Sequence, residues 1–232
     1  MLSMQKLIGF IAALVIIAIG IWIVLAIMSM SQGPIPEPVS IEKPSDTASA
    51  PPNIEHLNYT LDAENSTLTW NARRMVGAFH SGGVGIESGH ITFEESIDGR
   101  VFSGGAFTVD MQTITESKDN QLFLKHVRSN DFFDVKTYPT SALTLTDVQW
   151  SGQGNTFAVS GDLTIKDRTV PIVFPAEMTF RNDRAIATAL IEIDRTDWGI
   201  EFQSESIFLE LGDGAIKDAI QFNLALTFIG SD

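Results

Sequence analysis

The side chains of this sequence best suited to chemistry are its four histidines and one charged cluster late in the chain. His126 stands near Asp119, Arg128 and Asp131. In such company an imidazole can serve as a base or touch the polar end of a ligand, but a hydrogen-bonded structural histidine is the simpler reading. His80 and His90 straddle a glycine-rich stretch, Ser81 to Gly89, that reads as a hairpin. Two imidazoles with no cysteine and no obvious third ligand make a weak zinc pattern. His56 falls at the end of a linker. Arg195, between Asp194 and Asp197, could grip a pyrophosphate or other polar head group through its planar fork, or form a structural Arg–Asp pair at a strand end. The chain has no cysteine, which excludes disulfides, thiolate catalysis and thiolate-bound zinc. It also has no Gly-x-Ser-x-Gly elbow, phosphate loop, His-Glu-x-x-His or Gly-x-Gly-x-x-Gly after a strand. Glu94, Glu95, Glu201, Glu205 and Glu210 read as a solvated face.

The elements that must position these groups are strands. Apolar residues alternate with polar ones at Leu68, Trp70 and Ala72, and again at Phe107, Val109 and Met111. The same period runs through Leu143 and Leu145, Phe157 to Ile165, Val170 to Phe180, Ile207 to Leu211, and Ile220 to Phe228. A period of two means strands with one buried face. Asp98-Gly99, Ser151 to Gly154, Lys166-Asp167-Arg168 and Asn182-Asp183 are the turns, with Asp167 suited to a left-handed conformation. Thr115 to Asn130 breaks the pattern and predicts a short helix and loop, with Asp119 as a cap. The expected fold is all-β: an antiparallel up-and-down barrel, or a sandwich, of about eight strands with one short helix. Pattern alone leaves the interior hollow or filled.

Ahead of this domain, Leu7 to Met28 is uninterruptedly apolar. At ~1.5 Å per residue the run is about 33 Å long, the thickness of a bilayer core. It is longer than a cleaved leader requires, so residues 1–30 are expected to form an N-terminal transmembrane signal anchor. Residues 31–55, with six prolines among Ser, Thr and Ala, form an extended linker, and residues 56–232 the barrel. Lys6 before the span places the N-terminus inside and the barrel outside. The expected location is a bacterial inner membrane, single-pass, with the domain in the periplasm or outside the cell. The net charge of -14 argues against nucleic acid as a partner. The partners admitted are the membrane, an apolar lipid and a second copy in a homodimer.

Four segments in order carry a family resemblance. Val127 to Thr140 (VRSNDFFDVKTYPT), Ser160 to Thr169 (SGDLTIKDRT), Ile193 to Ile200 (IDRTDWGI) and Gly104 to Met111 (GGAFTVDM) resemble the YceI-like family across about Leu57 to Phe228. Asp167 replaces the glycine usual in that hairpin, and the anchor lies outside the likeness. The resemblance implies an exported, lipocalin-like barrel with a polyisoprenoid or isoprenoid quinone in an apolar tunnel, and no catalysis or cofactor. Ligand contacts are then expected at Trp70, Phe107, Ile165, Phe174 and Trp198, with Arg195 at the polar head group unless it forms the structural Arg–Asp pair. Phe132-Phe133, adjacent in a strand and therefore on opposite faces, is a gate of which one ring faces inward. Trp198 packs at a bend made by Gly199. The alternatives are a filled barrel serving as an interaction module and a lipid-modifying enzyme built on His126.

Overall fold

The structure, a computed structural model, describes residues 51–77, 79–97 and 99–232. The expected anchor and most of the expected linker lie outside them. Among the described residues no helix is long and apolar enough to cross a membrane.

Ten strands form one antiparallel sheet that closes on itself. They are β1 (Asn58–Leu61), β2 (Thr67–Arg73), β3 (Phe79–Gly83), β4 (Gly85–Ser96), β5 (Gly99–Asp110), β6 (Thr140–Trp150), β7 (Thr156–Ile165), β8 (Arg168–Arg181), β9 (Arg184–Asp194) and β10 (Ala219–Ser231). The count exceeds the expected eight because two staves of the barrel are broken. β1 pairs with the end of β10 and β2 with its beginning, and a 3-10 turn at Ala63–Asn65, capped by Asp62, separates them. β3 and β4 are likewise one stave interrupted at Val84. Eight staves therefore run up and down in chain order, and the β1–β10 pairing closes the ring. The ring is closed, but β5 and β6 pair only between residues 106–110 and 140–144, and β8 and β9 only between 176–181 and 184–189.

The tight hairpins follow the turn chemistry, with one change. Ile165 pairs with Arg168, and it is Lys166 (φ 58°), not Asp167, that takes the left-handed conformation. Asn182 does so at the β8–β9 tip (φ 51°). The β4–β5 turn falls partly on residue 98, outside the described residues.

Ser81 to Gly89 is not a hairpin. The β2–β3 turn comes earlier, between Arg73 and Phe79, where Gly77 has φ 89°. The glycines serve a close approach instead. Residues 115–117 run alongside β3, with Thr115 N donating to Gly83 O and Ser117 N to Ser81 O, both at 2.8 Å. A Cβ on Gly82 would lie 1.8 Å from the Thr115 carbonyl oxygen. Backbone cannot yield there as a flexible side chain would. Gly82→Ala is expected to cost about 3 kcal/mol as an overpacking defect. A thermal melt should show a drop of roughly 10 °C, and a melt within a degree or two of the natural chain would contradict the account of this contact.

Ile207, Leu209 and Leu211 are not a strand. The alternation is real, but no strand of the sheet pairs with it. The segment instead belongs to the long β9–β10 connection, with a 3-10 stretch at Leu209–Gly214. The helix expected in Thr115 to Asn130 is α1 (Gln121–Val127). Its cap is Asn120, whose side-chain oxygen accepts from Phe123 N at 3.1 Å, rather than Asp119.

The two ends of the barrel differ. At the end of the β4–β5, β6–β7 and β8–β9 turns, Tyr59, Phe93, Phe102, Phe157 and Phe180 form a plug of edge-on rings with centroids 5.3–6.4 Å apart. Edge-to-face stacking of this kind adds to the burial of the rings themselves. The other end carries α1, the β2–β3 turn and the β9–β10 connection.

Candidate ligand cavity

The inward face of the barrel is apolar because each strand places every second residue there. Those residues do not meet in the middle. A cavity of about 400 Å³ runs along the axis. Leu68, Phe107, Leu143, Leu163, Phe222 and Leu224 all line it, and all are only partly buried although they point inward. A side chain in a filled core is sealed by its neighbours, so what these residues are exposed to is the cavity. The interior is hollow.

Of the residues singled out from the sequence, Trp70, Phe107, Phe132, Phe133, Ile165 and Phe174 line this cavity. Phe132 and Phe133 do so together. They sit in a turn after α1 and not in a strand, so the alternation that would have put them on opposite faces does not apply.

Arg195 and Trp198 do not line it. Arg195 is 1% exposed and pairs with Asp218 at 3.0 Å. Its guanidinium also donates to the carbonyls of Ile200 (2.7 Å), Lys217 (3.3 Å) and Ile216 (3.3 Å). With those donors committed and the group sealed from solvent, it pins the β9–β10 connection to the barrel. Neither flanking acid is its ion partner: Asp194 caps the 3-10 turn that follows β9 by accepting from Thr196 N. Trp198 is buried with its indole N–H donating to Leu163 O at 3.0 Å. Gly199 (φ 69°) makes the expected bend.

The histidines have separate roles. His80 Nδ1 lies 3.2 Å from Glu116 Oε1, and its ring stacks on Phe123 at 3.9 Å and 5°. Glu116 is buried and also accepts from the amides of Lys118 and Asn120. Burial opposes its ionisation, but these amides and the imidazole together hold the carboxyl below the usual carboxylate range. The pair ties β3 to the loop that leads into α1. His90 faces outward on β4, away from His80. Among the described residues no group of three His, Asp or Glu could hold a metal. His126 has Asp131 as its acidic neighbour at 3.6 Å, not Asp119, and packs edge-on against Phe202. His56 meets Asp232 at 3.0 Å.

Sequence reasoning missed most of the polar lining. It consists of Arg73, Arg74, His80, His126 and Gln203 near the open end, with Ser141 and Thr188. Gln203 has φ 48°, and its Oε1 is buried with no hydrogen-bond partner among the described residues. The one available signal was Arg73-Arg74, two charges ending the apolar alternation of Leu68, Trp70 and Ala72.

A closed antiparallel barrel with a hollow apolar axis and polar groups near one end has room for an elongated apolar molecule. The family model for the YceI-like domain matches residues 59–228, and the chain belongs to that family. It is 34% identical over 86 residues to a UPF0312 protein of Photorhabdus laumondii, covering 32% of this chain and 44% of the relative. It is 26% identical over 176 residues to a UPF0312 protein of Pseudomonas putida, covering 72% of this chain and 84% of the relative. Among solved structures it is similar to a polyisoprenoid binding domain from Saccharophagus degradans implicated in plant cell wall breakdown. The TM-score is 0.59 and the identity 15%, over 75% of this chain and 99% of that one. The family match lies wholly within residues 51–232, so the described barrel contains the whole matched domain.

Proposed function

We propose that this chain holds or carries a long apolar lipid, a polyisoprenoid or an isoprenoid quinone, in the barrel cavity and catalyses no reaction. The observation that carries the reading is the row of inward apolar side chains left facing empty space along the axis. A prenyl chain fills such a space and gains ~0.8 kcal/mol for each methylene removed from water. Its tail runs toward the aromatic plug and its polar end stays at Arg73, Arg74, His80 and Gln203. A hydroxyl there would supply the donor that Gln203 Oε1 lacks. The polyisoprenoid binding described for the Saccharophagus degradans domain supports the same reading. We further propose that the apolar run Leu7 to Met28 anchors the chain in a bacterial inner membrane with the barrel outside the cytoplasm, beside the bilayer that supplies the lipid.

Trp70 lines the cavity and reports its occupancy. Titrating the barrel, residues 51–232, with geranylgeraniol should quench its fluorescence saturably at one ligand per chain. The affinity should change little between low salt and about 1 M, because a neutral, buried ligand is insensitive to screening. No saturable binding of geranylgeraniol or of a short-chain isoprenoid quinone would overturn the reading.

A further inference from the structure

Eight of the fourteen large apolar side chains exposed among the described residues stand on the segments around the open end of the barrel, although the most exposed, Ile97, is at the plug end. Three of the loops at that end meet one another. Met75 N donates to Ala215 O at 3.0 Å, joining the β2–β3 turn to the β9–β10 connection. The stack of His80 on Phe123 joins β3 to α1. Each loop carries an apolar tip in solvent: Val76 is 60% exposed, Leu122 on α1 83% and Leu209 79%. Met75, Phe208 and Leu211 stand beside them, also exposed. None of these six lines the cavity. They are interleaved along the chain with residues that do: Arg74 precedes Met75, Phe123 follows Leu122, and Gln203 and Ile216 flank the last group.

We propose that this rim is a docking surface for a lipid bilayer, and that the barrel loads and unloads with its mouth against the membrane. The inference rests on the lipid-binding reading. An apolar ligand leaving a bilayer needs a dry path, and a rim of apolar tips continuous with the cavity provides one. Single side chains on separate loops around an opening suit shallow insertion between lipids, while the nearby Arg73, Arg74, Lys118 and Lys125 can meet phosphates at the headgroup level. The same connection also exposes Glu201, Glu210 and Asp213, so apolar insertion of the tips, not net charge, carries the contact and sets its orientation. A flat protein partner would instead cap the opening and block the ligand.

The test uses the barrel, residues 51–232, so that the apolar N-terminal run contributes nothing. Vesicles of phosphatidylcholine with one part in five phosphatidylglycerol, carrying geranylgeraniol, are mixed with the barrel and floated. The natural barrel should float with the vesicles and take up geranylgeraniol. Val76→Asp/Leu122→Asp/Leu209→Asp should lower vesicle partitioning at least tenfold, since each tip loses its apolar burial, and should slow uptake from vesicles. Delivered from cyclodextrin, geranylgeraniol should bind both proteins alike. The proposal is overturned if the natural barrel stays with the soluble fraction or if the triple variant floats equally. It is also overturned if sedimentation shows a dimer that the triple variant breaks, which would assign the rim to a second copy. Failure to bind geranylgeraniol from cyclodextrin would sink the lipid-binding reading instead, and flotation would still be read independently.

Discussion

Ala189→Phe/Leu224→Trp should abolish lipid binding while leaving the barrel at least as stable as the natural chain. Ala189 on β9 and Leu224 on β10 are register partners, both line the cavity and both are only partly buried. Larger side chains at these positions project into empty space and gain contacts that were missing. In a filled core the same pair of changes would cost about 1–3 kcal/mol each, and the melting temperature would fall. The binding loss should be large. Excluding only four methylenes of a prenyl chain forfeits about 3 kcal/mol, roughly a hundredfold in affinity. Fluorescence titration and a thermal melt on one preparation give both readings. A variant that still bound geranylgeraniol within a few-fold of the natural barrel would place the ligand elsewhere.

The second large effect is on stability. Arg195→Met removes one member of a buried pair and strands the other. Asp218 would keep its hydrogen bonds from Ser204 Oγ at 2.8 Å and Ser206 Oγ at 2.7 Å, but its charge would have lost its counter-ion. Breaking such a pair costs about 3–5 kcal/mol, and in a domain of this size the melting temperature should fall roughly 10 °C. Arg195→Met/Asp218→Leu should recover part of that loss, since no buried charge is then left alone and the two serine hydroxyls, 3.1 Å apart, can bond each other. A single variant with unchanged melting but weakened lipid binding would restore Arg195 to the ligand site.

The same pair sets an acid limit. Burial opposes ionisation of Asp218, but the Ser206 and Ser204 donors and the Arg195 charge hold its carboxyl below the ordinary value of 3.8. A carboxyl depressed in the folded state contributes stability that is full above its unfolded value and is lost as the pH falls through its folded one. Melting temperature should therefore fall as the pH drops below about 4, and that part of the fall should be missing from the Arg195→Met/Asp218→Leu chain.

The barrel wall was legible because period-two alternation depends on the backbone alone. Val170 to Phe180 and Ile220 to Phe228 face inward as the pattern required. The segments misread are those where tertiary pairing decides. Ile207 to Leu211 alternates but has no strand to pair with. Gly82 and Gly83 look like a turn, yet they admit the backbone of Thr115. Phe132 and Phe133 both face inward because a turn, not a strand, carries them. The site was half legible for a similar reason. Inward apolar contacts follow from alternation, whereas His80 and Glu116, and Arg195 and Asp218, are partners far apart in sequence that only chain closure brings together. Gln203 gave no signal, since a left-handed glutamine with an unmet oxygen has no mark in sequence.

If the cavity holds an isoprenoid lipid, the protein purified from cells should carry one. The full chain and its Ala189→Phe/Leu224→Trp variant would be purified in parallel from the cells that make them, and organic extracts compared by mass spectrometry. One polyprenyl or isoprenoid quinone species, near one per chain, should be present in the natural protein and absent from the variant. Extracts that match each other, or that hold only bulk membrane lipid, would contradict it.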